Sequence, residues 1–337
     1  MTFARVSRSV LISTVLIAGV GCSSGTPHLI PGPTPTPKSV SYAAIGASDA
    51  VGYNASVPCA NPPTVAVPTC PGGTGYVPDI ARALGTSGAA VTLDDLGISG
   101  GVIGPDIAAM GNRYASLGSA APCAPRTGGD VISSDFITNE LPELTGSETL
   151  VTIFAGGNDT NAIVNAASCQ LAAGATQATV TQFVETEIAA FGNDFTQLVT
   201  AIHTRAPNAK IVAANLPNFA GIPITQQAAI APAKPLFQAV SVGIDSNVYL
   251  PAAKAGIPVA DLLCDPLSYA TSSFFPGPLA DGFHPNDTGY AELAALYEAE
   301  ILAAVPTLPA PSCPQMTLAS VARKLESAGA IRAFDRP

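Results

Sequence analysis

Short apolar runs alternate with helical patterns along most of the chain. Short runs predict strands at 40–45, 89–93, 150–155, 211–216 and 258–263, and the run at 150–155 is continuously apolar, as is typical of a strand covered on both faces. Apolar residues three or four positions apart predict a long helix over 178–205, and a second pattern predicts a last helix over 287–304. Strands that alternate with helices favour a parallel sheet covered on both faces. We therefore predict a three-layer α/β/α fold with a five-stranded, mainly parallel sheet.

Two stretches interrupt this alternation. Residues 53–78 and 111–147 are long, rich in glycine and proline, and contain cysteines, which predicts insertions or lids. The last residues, 314–337, follow the final predicted element and are interpreted as a tail that is either a peripheral helix or disordered. The folded domain is therefore expected to span 39–313.

The amino terminus has the pattern of an export signal. Arg5 and Arg8 precede an apolar run at 10–20 that is too short to cross a bilayer comfortably. The segment that follows resembles a bacterial lipoprotein cleavage site with Cys22 as the lipidated residue, although Gly19 stands where that pattern prefers an aliphatic side chain. The alternative is a plain secretory signal and a fully secreted protein.

The export signal suggests how the mature protein is organised. We predict a signal peptide over 1–21 and a lipidated, Pro-rich tether over 22–38, in which alternating prolines favour an extended spacer. The expected location is the cell envelope, with contact to the membrane only through the lipid on Cys22.

Amino-acid composition indicates which partners are not expected and whether the cysteines form disulfides. Hydrophobic residues make up 47% of the 337 and charged residues 11%, which allows a large core, and the net charge of -10 argues against nucleic acid as a partner. Beyond Cys22 there are six cysteines, an even number that suggests disulfides in an exported chain and allows 15 connectivities. Pairing of Cys59 with Cys70 is favoured, because the Pro-rich segment between them would form a short closed loop. No C-x-x-C pair exists and only three histidines are present, so no metal site is expected.

Four short motifs follow predicted strands, at the edge where parallel sheets place their sites. The first contains Ser48, which is either a nucleophile at the sheet rim or a helix N-cap. The second is the glycine-rich stretch 96–101, in which the glycines either let the backbone come close to a ligand or form an ordinary turn. This stretch does not match the G-x-G-x-x-G pattern of dinucleotide-binding proteins. The third contains Asn158, an oxyanion donor or a turn residue.

The fourth motif contains the only histidine that has an aspartate in a suitable motif. His284 follows Asp281 by three residues and can be oriented by it while it faces a serine, although a helix-start aspartate beside a surface histidine would give the same pattern. His28 lies in the predicted tether and His203 lies late in the predicted helix, where a structural role is expected.

The ordered set of serine block, glycine block, G-x-N-D and D-x-x-H resembles the SGNH/GDSL hydrolase family over roughly residues 40–305. The resemblance implies a flavodoxin-like sheet and a triad of Ser48, His284 and Asp281. It also implies an oxyanion hole formed by the backbone N–H groups of Ser48 and Gly100 with the Asn158 side chain, and no cofactor.

One position departs from the family pattern. Ala47 stands where the family has the aspartate of G-D-S, and Asp49 follows the serine and could take over part of that supporting role. The G-x-S-x-G elbow of α/β-hydrolases is absent, because Ala50 occupies its second glycine position.

The resemblance implies hydrolysis of carboxylic esters, and we expect a small acyl ester or a lipid ester as substrate. Phe219 and Ile222, in the loop after the fourth predicted strand, are candidate contacts for the acyl group. Alternatives on the same site are acyl transfer and carbohydrate acetylesterase activity. An alternative from another class is a surface-anchored binding protein on a decayed hydrolase fold, for which Ala47 is the main argument.

Overall fold

Strands and helices alternate in the computed structural model, which describes residues 38–60, 66–116, 132, 134–270, 273–277, 281–305, 307–310 and 312–316. Five strands form one sheet: β1 (Ser39–Gly46), β2 (Ala90–Asp95), β3 (Leu150–Phe154), β4 (Lys210–Ala214) and β5 (Val259–Ala260). Their order is β2-β1-β3-β4-β5 and every neighbouring pair is parallel, which is the flavodoxin-like arrangement. The predicted fold class is confirmed.

Strand β5 is shorter than the predicted run 258–263. The chain turns away after Ala260 because the Asn215 side-chain oxygen accepts hydrogen bonds from the backbone N–H groups of Leu262 and Leu263, at 2.6 and 3.1 Å. Residues 261–263 were predicted as strand from their hydrophobicity, but their hydrogen bonds to the Asn215 side chain keep them out of the sheet.

Seven helices fill the two outer layers within the described part of the chain. They are α1 (Tyr76–Thr86), α2 (Pro105–Ser116), α3 (Gly157–Ala172), α4 (Gln177–Arg205), α5 (Lys234–Ile244), α6 (Leu250–Lys254) and α7 (Asp287–Leu302). Helix α1 packs on α7, and α2 to α5 pack as a second group. Both predicted helices are present as α4 and α7, and each begins with a side-chain cap, from Thr176 and Asn286 respectively.

The core lies on both faces of the sheet. The inner halves of β1 and β3 are fully buried, as is most of β4, which explains their continuous apolar sequences. Buried aromatic rings fill the α1–α7 side, where Tyr76 stacks on Tyr297 with ring centroids 5.3 Å apart.

The two stretches expected to be insertions or lids are partly regular structure. Residues 76–78 begin α1, and α2 continues to Ser116. Residues 134–144 contain a π-helical turn, Phe136–Glu140, and contribute Phe136, Leu141 and Leu144 to the core. This last segment is therefore fixed structure beneath the site, and the lid interpretation is wrong for it. Residues 117–131 lie outside the described residues.

Two disulfides hold loops close to the carboxyl edge of the sheet. Cys59 is bonded to Cys70, as predicted, with Cα atoms 5.4 Å apart, and Cys264 is bonded to Cys313, with Cα atoms 5.6 Å apart. Cys169 is also disulfide-bonded. The predicted signal peptide, the lipidation site at Cys22, the tether and residues 317–337 of the tail lie outside the described residues.

Among the helices that the structure describes, none has both the length and the apolar character needed to span a membrane.

Candidate active site

The predicted site residues gather at the carboxyl edge of the sheet. Ser48 lies two residues after β1, and Asn158 lies at the start of α3, directly after β3. Asp281 and His284 lie in the loop that leads into α7. Parallel strands bring the loops that follow them to one edge, so residues far apart in sequence meet there.

Ser48, His284 and Asp281 form a continuous hydrogen-bonded chain. Ser48 Oγ lies 2.9 Å from His284 Nε2, and His284 Nδ1 lies 2.6 Å from Asp281 Oδ2. A carboxylate beside Nδ1 favours the tautomer with its proton on that nitrogen, which leaves Nε2 free to accept the serine proton. Ser48 is 6% exposed, so its hydroxyl is directed into the site with little solvent around it.

Asp281 is held as a carboxylate by its immediate surroundings. Burial alone raises the pKa of Asp281, but hydrogen bonds from the His284 ring and from the backbone outweigh it and lower the pKa below its ordinary value. Its Oδ1 accepts from the N–H groups of Phe283 and His284, at 2.9 and 3.0 Å. The i, i+3 spacing therefore lets one carboxylate fix both the backbone and the ring of the histidine.

The His284 loop is also held from the segment after the nucleophile. Asn54 Nδ2 donates to His284 O at 2.9 Å, with longer contacts to the carbonyl oxygens of Phe275 and Pro285. Asn54 has a φ of 71°, a left-handed conformation that asparagine tolerates. The Tyr53 ring lies against the His284 ring, with centroids 4.5 Å apart.

The G-x-N-D aspartate has a structural function in this chain. Asp159 is fully buried and accepts from Ile103 N–H at 2.9 Å and from Gly156 N–H at 3.1 Å, which fixes the start of α3. Burial raises the pKa of Asp159 to about 7, against the opposing effect of these hydrogen bonds. Asn158, next to it, is thereby held at the mouth of the site.

The three oxyanion donors predicted from the sequence differ in their surroundings. Asn158 Nδ2 uses one hydrogen on Gly101 O at 2.9 Å, and an amide nitrogen has a second hydrogen to donate. Gly100 has a φ of 81°, which favours glycine, and neither its N–H nor that of Ser48 has an acceptor among the described residues. Gly101 lines the pocket beside the nucleophile, and its N–H donates a hydrogen bond to Ile98 O. Gly100 is exposed.

An apolar pocket opens beside Ser48 and Asn158. Six aromatic rings line it, those of Phe136, Phe154, Phe219, Phe274, Phe275 and Phe283. Of the two residues proposed to contact the acyl group, Phe219 lines this pocket and stacks on Phe283 with centroids 5.4 Å apart. Ile222 is fully buried in the core and is not on the pocket wall, because the chain turns inward at the Phe219–Gly221 helical turn.

Sequence reasoning missed two residues that support the site. Glu140 accepts a hydrogen bond from Gly46 N–H, and Asn54 holds the His284 carbonyl. His203 lies exposed in the last turn of α4 and is not in the site. Within the described ranges, no three His, Cys, Asp or Glu side chains gather so that they could hold a metal ion.

Comparison with known proteins identifies the family. The sequence model of the GDSL-like Lipase/Acylhydrolase family matches residues 44–292, so the chain belongs to this family. A comparison with curated proteins finds no match.

Solved structures with a similar fold have low sequence identity. They include an extracellular lipase from Streptomyces rimosus, at 17% identity over 77% of this chain and 99% of that chain, with a TM-score of 0.48. Phospholipase A1 from Streptomyces albidoflavus NA297 has 19% identity over 77% and 99%, with a TM-score of 0.45. A family 3 carbohydrate esterase from Clostridium thermocellum has 18% identity over 79% and 98%, with a TM-score of 0.37. At these values the likeness carries no argument about substrate.

Proposed function

We propose that the protein is a serine esterase that hydrolyses carboxylic esters through an acyl-enzyme. The observation that carries this proposal is the chain of hydrogen bonds from Ser48 Oγ through both ring nitrogens of His284 to Asp281. A serine, a base and a carboxylate with these separations form the arrangement that activates a hydroxyl for acyl transfer.

The proposed reaction has two halves. His284 Nε2 removes the proton from Ser48 Oγ as the oxygen attacks the ester carbonyl, and the same proton then passes to the leaving alcohol. Negative charge on the carbonyl oxygen is stabilised by the N–H groups of Ser48 and Gly100 and by the Asn158 amide. Water then attacks the acyl-enzyme, with His284 again acting as base and Asp281 stabilising the imidazolium.

The pocket supports an ester with an apolar acyl group. Its walls are mainly apolar and include six phenylalanine rings, of which Phe219 and Phe283 form a flat stacked surface close to Gly157. A β-carbon added at Gly157 would lie 3.7 Å from the Phe283 ring and 3.8 Å from the Phe219 ring, which are ordinary contact distances, so these two rings form the pocket wall beside Gly157. We therefore propose small acyl or lipid esters as substrates.

Two experiments test the proposal and its alternatives. Ser48→Ala should abolish hydrolysis of acyl esters and labelling by a fluorophosphonate, in which Ser48 Oγ displaces fluoride at phosphorus. Full activity of a folded Ser48→Ala protein would rule out this mechanism. Acyl transfer is distinguished by product analysis with a competing alcohol, and carbohydrate acetylesterase activity by release of acetate from an acetylated glycan. A decayed binding protein would give neither labelling nor turnover.

We further propose that the protein is exported and anchored through lipid on Cys22. The Cys59–Cys70 and Cys264–Cys313 disulfides support export, because such bonds persist in oxidising compartments. Intact-mass measurement of the native and alkylated protein tests this. Retention of residues 1–21, or an unmodified Cys22 at the mature amino terminus, would contradict the anchor.

A further inference from the structure

A buried carboxyl from a distant part of the chain contacts the peptide just before the nucleophile. Glu140 is 1% exposed, and its Oε2 accepts a hydrogen bond from Gly46 N–H at 2.9 Å. Gly46 is the last residue of β1 and precedes Ser48 by two positions. Without Glu140 this N–H would be buried without a partner, which is unfavourable for the folded chain.

The segment that contains Glu140 also holds the glycine loop that supplies an oxyanion donor. Phe136 N–H donates to Val102 O at 2.9 Å, and Val102 N–H donates to Ser134 O at 3.3 Å. The glycine loop is in turn bonded to the end of β1, because Ile98 N–H donates to Gly46 O at 3.0 Å. Residues 134–140 therefore connect the two loops that carry the backbone N–H groups of Ser48 and Gly100.

The surroundings of Glu140 favour its neutral form. Burial raises the pKa of Glu140 well above its ordinary value, against the opposing effect of the Gly46 hydrogen bond. Nearby Asp95 is also buried, and burial raises its pKa to about 8. A neutral carboxyl still offers a carbonyl oxygen to Gly46 N–H, so the interaction requires an acceptor at this place and not a charge.

We propose that Glu140 is a positioning residue for the nucleophile: it orients the Gly46 peptide so that Ser48 keeps its alignment with His284 and with the oxyanion donors. Ala47, between them, offers only a methyl group and cannot supply an acceptor. Glu140 is absent from the pocket wall and does not reach the substrate. This inference rests on the proposed esterase function.

The test compares three variants of the full-length protein. Glu140→Gln keeps an oxygen acceptor of the same length, whereas Glu140→Met keeps the volume and removes the acceptor. Glu148→Met is the matched control, because Glu148 is 2% exposed and accepts from the N–H groups of Thr145 and Gly146 at the opposite end of β3. For each variant, kcat, KM, the melting temperature and the rate of fluorophosphonate labelling of Ser48 are measured.

We expect Glu140→Met to lower kcat and the labelling rate together by about 10- to 100-fold with KM little changed, since a displaced nucleophile slows chemistry without removing a substrate contact. Glu140→Gln should restore both rates to within about threefold of the unaltered protein, as expected for a retained acceptor. Glu148→Met should lose stability yet keep its rates when they are normalised to folded protein.

Two results would overturn the inference: a folded Glu140→Met protein with unchanged rates, or a folded Glu140→Gln protein as slow as Glu140→Met. If Glu140→Met does not fold, Glu140→Asp replaces it, because a side chain shorter by one methylene withdraws the acceptor. Labelling of Ser48 without turnover of any ester would count against the proposed substrate class and leave the positioning test intact.

Discussion

The two halves of the candidate site are held in different ways. The nucleophile half, Ser48 with the glycine loop, lies directly at the ends of β1 and β2 and is bonded to buried Glu140. The acid–base half, Asp281 with His284, lies on a partly exposed loop and is bonded to Asn54. The sheet therefore positions the nucleophile, whereas contacts between loops position the base.

This difference has a chemical counterpart. In the nucleophile half, Glu140 accepts from Gly46 N–H and Asp95 accepts from Gly97 N–H in the glycine loop. Both carboxyls are buried, and burial raises their pKa values, which favours the neutral form of each. Asp281 instead has a lowered pKa, because hydrogen bonds from His284 favour its ionised form despite burial. Buried hydrogen bonds therefore hold the nucleophile half in place. In the acid–base half, the negative charge of Asp281 stabilises the positive charge that His284 acquires as an imidazolium.

The largest expected effect follows removal of the base. His284→Ala should lower kcat by about 10⁴-fold or more, because His284 Nε2 is the only side-chain atom hydrogen-bonded to Ser48 Oγ in the described part of the chain. His203→Ala is the matched control and should leave kcat nearly unchanged, since His203 lies exposed at the end of α4. Steady-state kinetics with an acyl ester, together with circular dichroism to verify folding, decide this. Equal loss in both folded variants would contradict the assignment of the base.

Loss of charge at Asp281 should be damaging, but less so. Asp281→Asn removes the carboxylate that orients the His284 ring and stabilises its protonated form, and we expect kcat to fall by about 10²- to 10⁴-fold. The backbone contacts to Phe283 and His284 can still be made by the amide oxygen, so the loop should stay in place. Unchanged kcat in this variant would remove Asp281 from the triad.

A smaller effect should follow loosening of the acid–base loop. Asn54→Gly permits the left-handed backbone but removes the amide that donates to His284 O, and we expect about a 10-fold lower kcat with a near-normal KM. Asn247→Ala is the control, because Asn247 is exposed and also donates to a backbone carbonyl. If both variants retain full kcat, the loop is positioned by other contacts.

The last expected effect is on the pH dependence of stability and not on kcat, and the contributions of Asp95 and Asp281 to that dependence should have opposite signs. Asp95 is protonated up to about pH 8 in the folded protein but only up to about 3.8 when unfolded, so its contribution is lost as the pH rises between these values. The slope is at most about 1.4 kcal/mol per pH unit. Asp281, with a lowered pKa, contributes above pH 3.8 and loses its contribution as the pH falls through its folded pKa.

Melting temperatures measured between pH 5 and pH 8 test this difference. Asp95→Asn keeps an acceptor for Gly97 N–H and should flatten the decline of stability with rising pH, whereas Asp281→Asn should not change it. An identical decline in both variants would show that Asp95 does not contribute to it.

The fold and the candidate site residues could be predicted because each leaves a short motif in the sequence, although Ser48 and His284 are 236 positions apart and only the ordered set of motifs relates them. Continuous apolar runs identify buried parallel strands, and the three-residue spacing of Asp281 and His284 is sufficient for one carboxylate to reach the ring. The start of α1 was included in a predicted insertion because of its glycine and proline content, although Pro78 lies in the first turn, where a helix tolerates proline.

Supporting residues could not be predicted in the same way. Glu140 and Gly46 are 94 positions apart, and Asn54 and His284 are 230 apart, so only the folded chain brings each pair together. Ile222 looked like Phe219 from the sequence, but the short helical turn between them sends one side chain to the pocket and the other to the core. The direction in which a side chain points within an irregular loop produces no periodic pattern in the sequence, so it could not be predicted.

The Cys59–Cys70 disulfide lies close enough to the site that its formation should affect the site's geometry. It closes a loop that begins five residues after Asn54, and Cys59 N–H bonds Val51 O at 2.9 Å, close to the nucleophile turn. Reduction of this bond would remove one constraint on the neighbouring segment that carries Tyr53 and Asn54, both of which contact His284. We therefore expect the proposed esterase activity to be complete only after this disulfide has formed, which for an exported protein happens outside the cytoplasm.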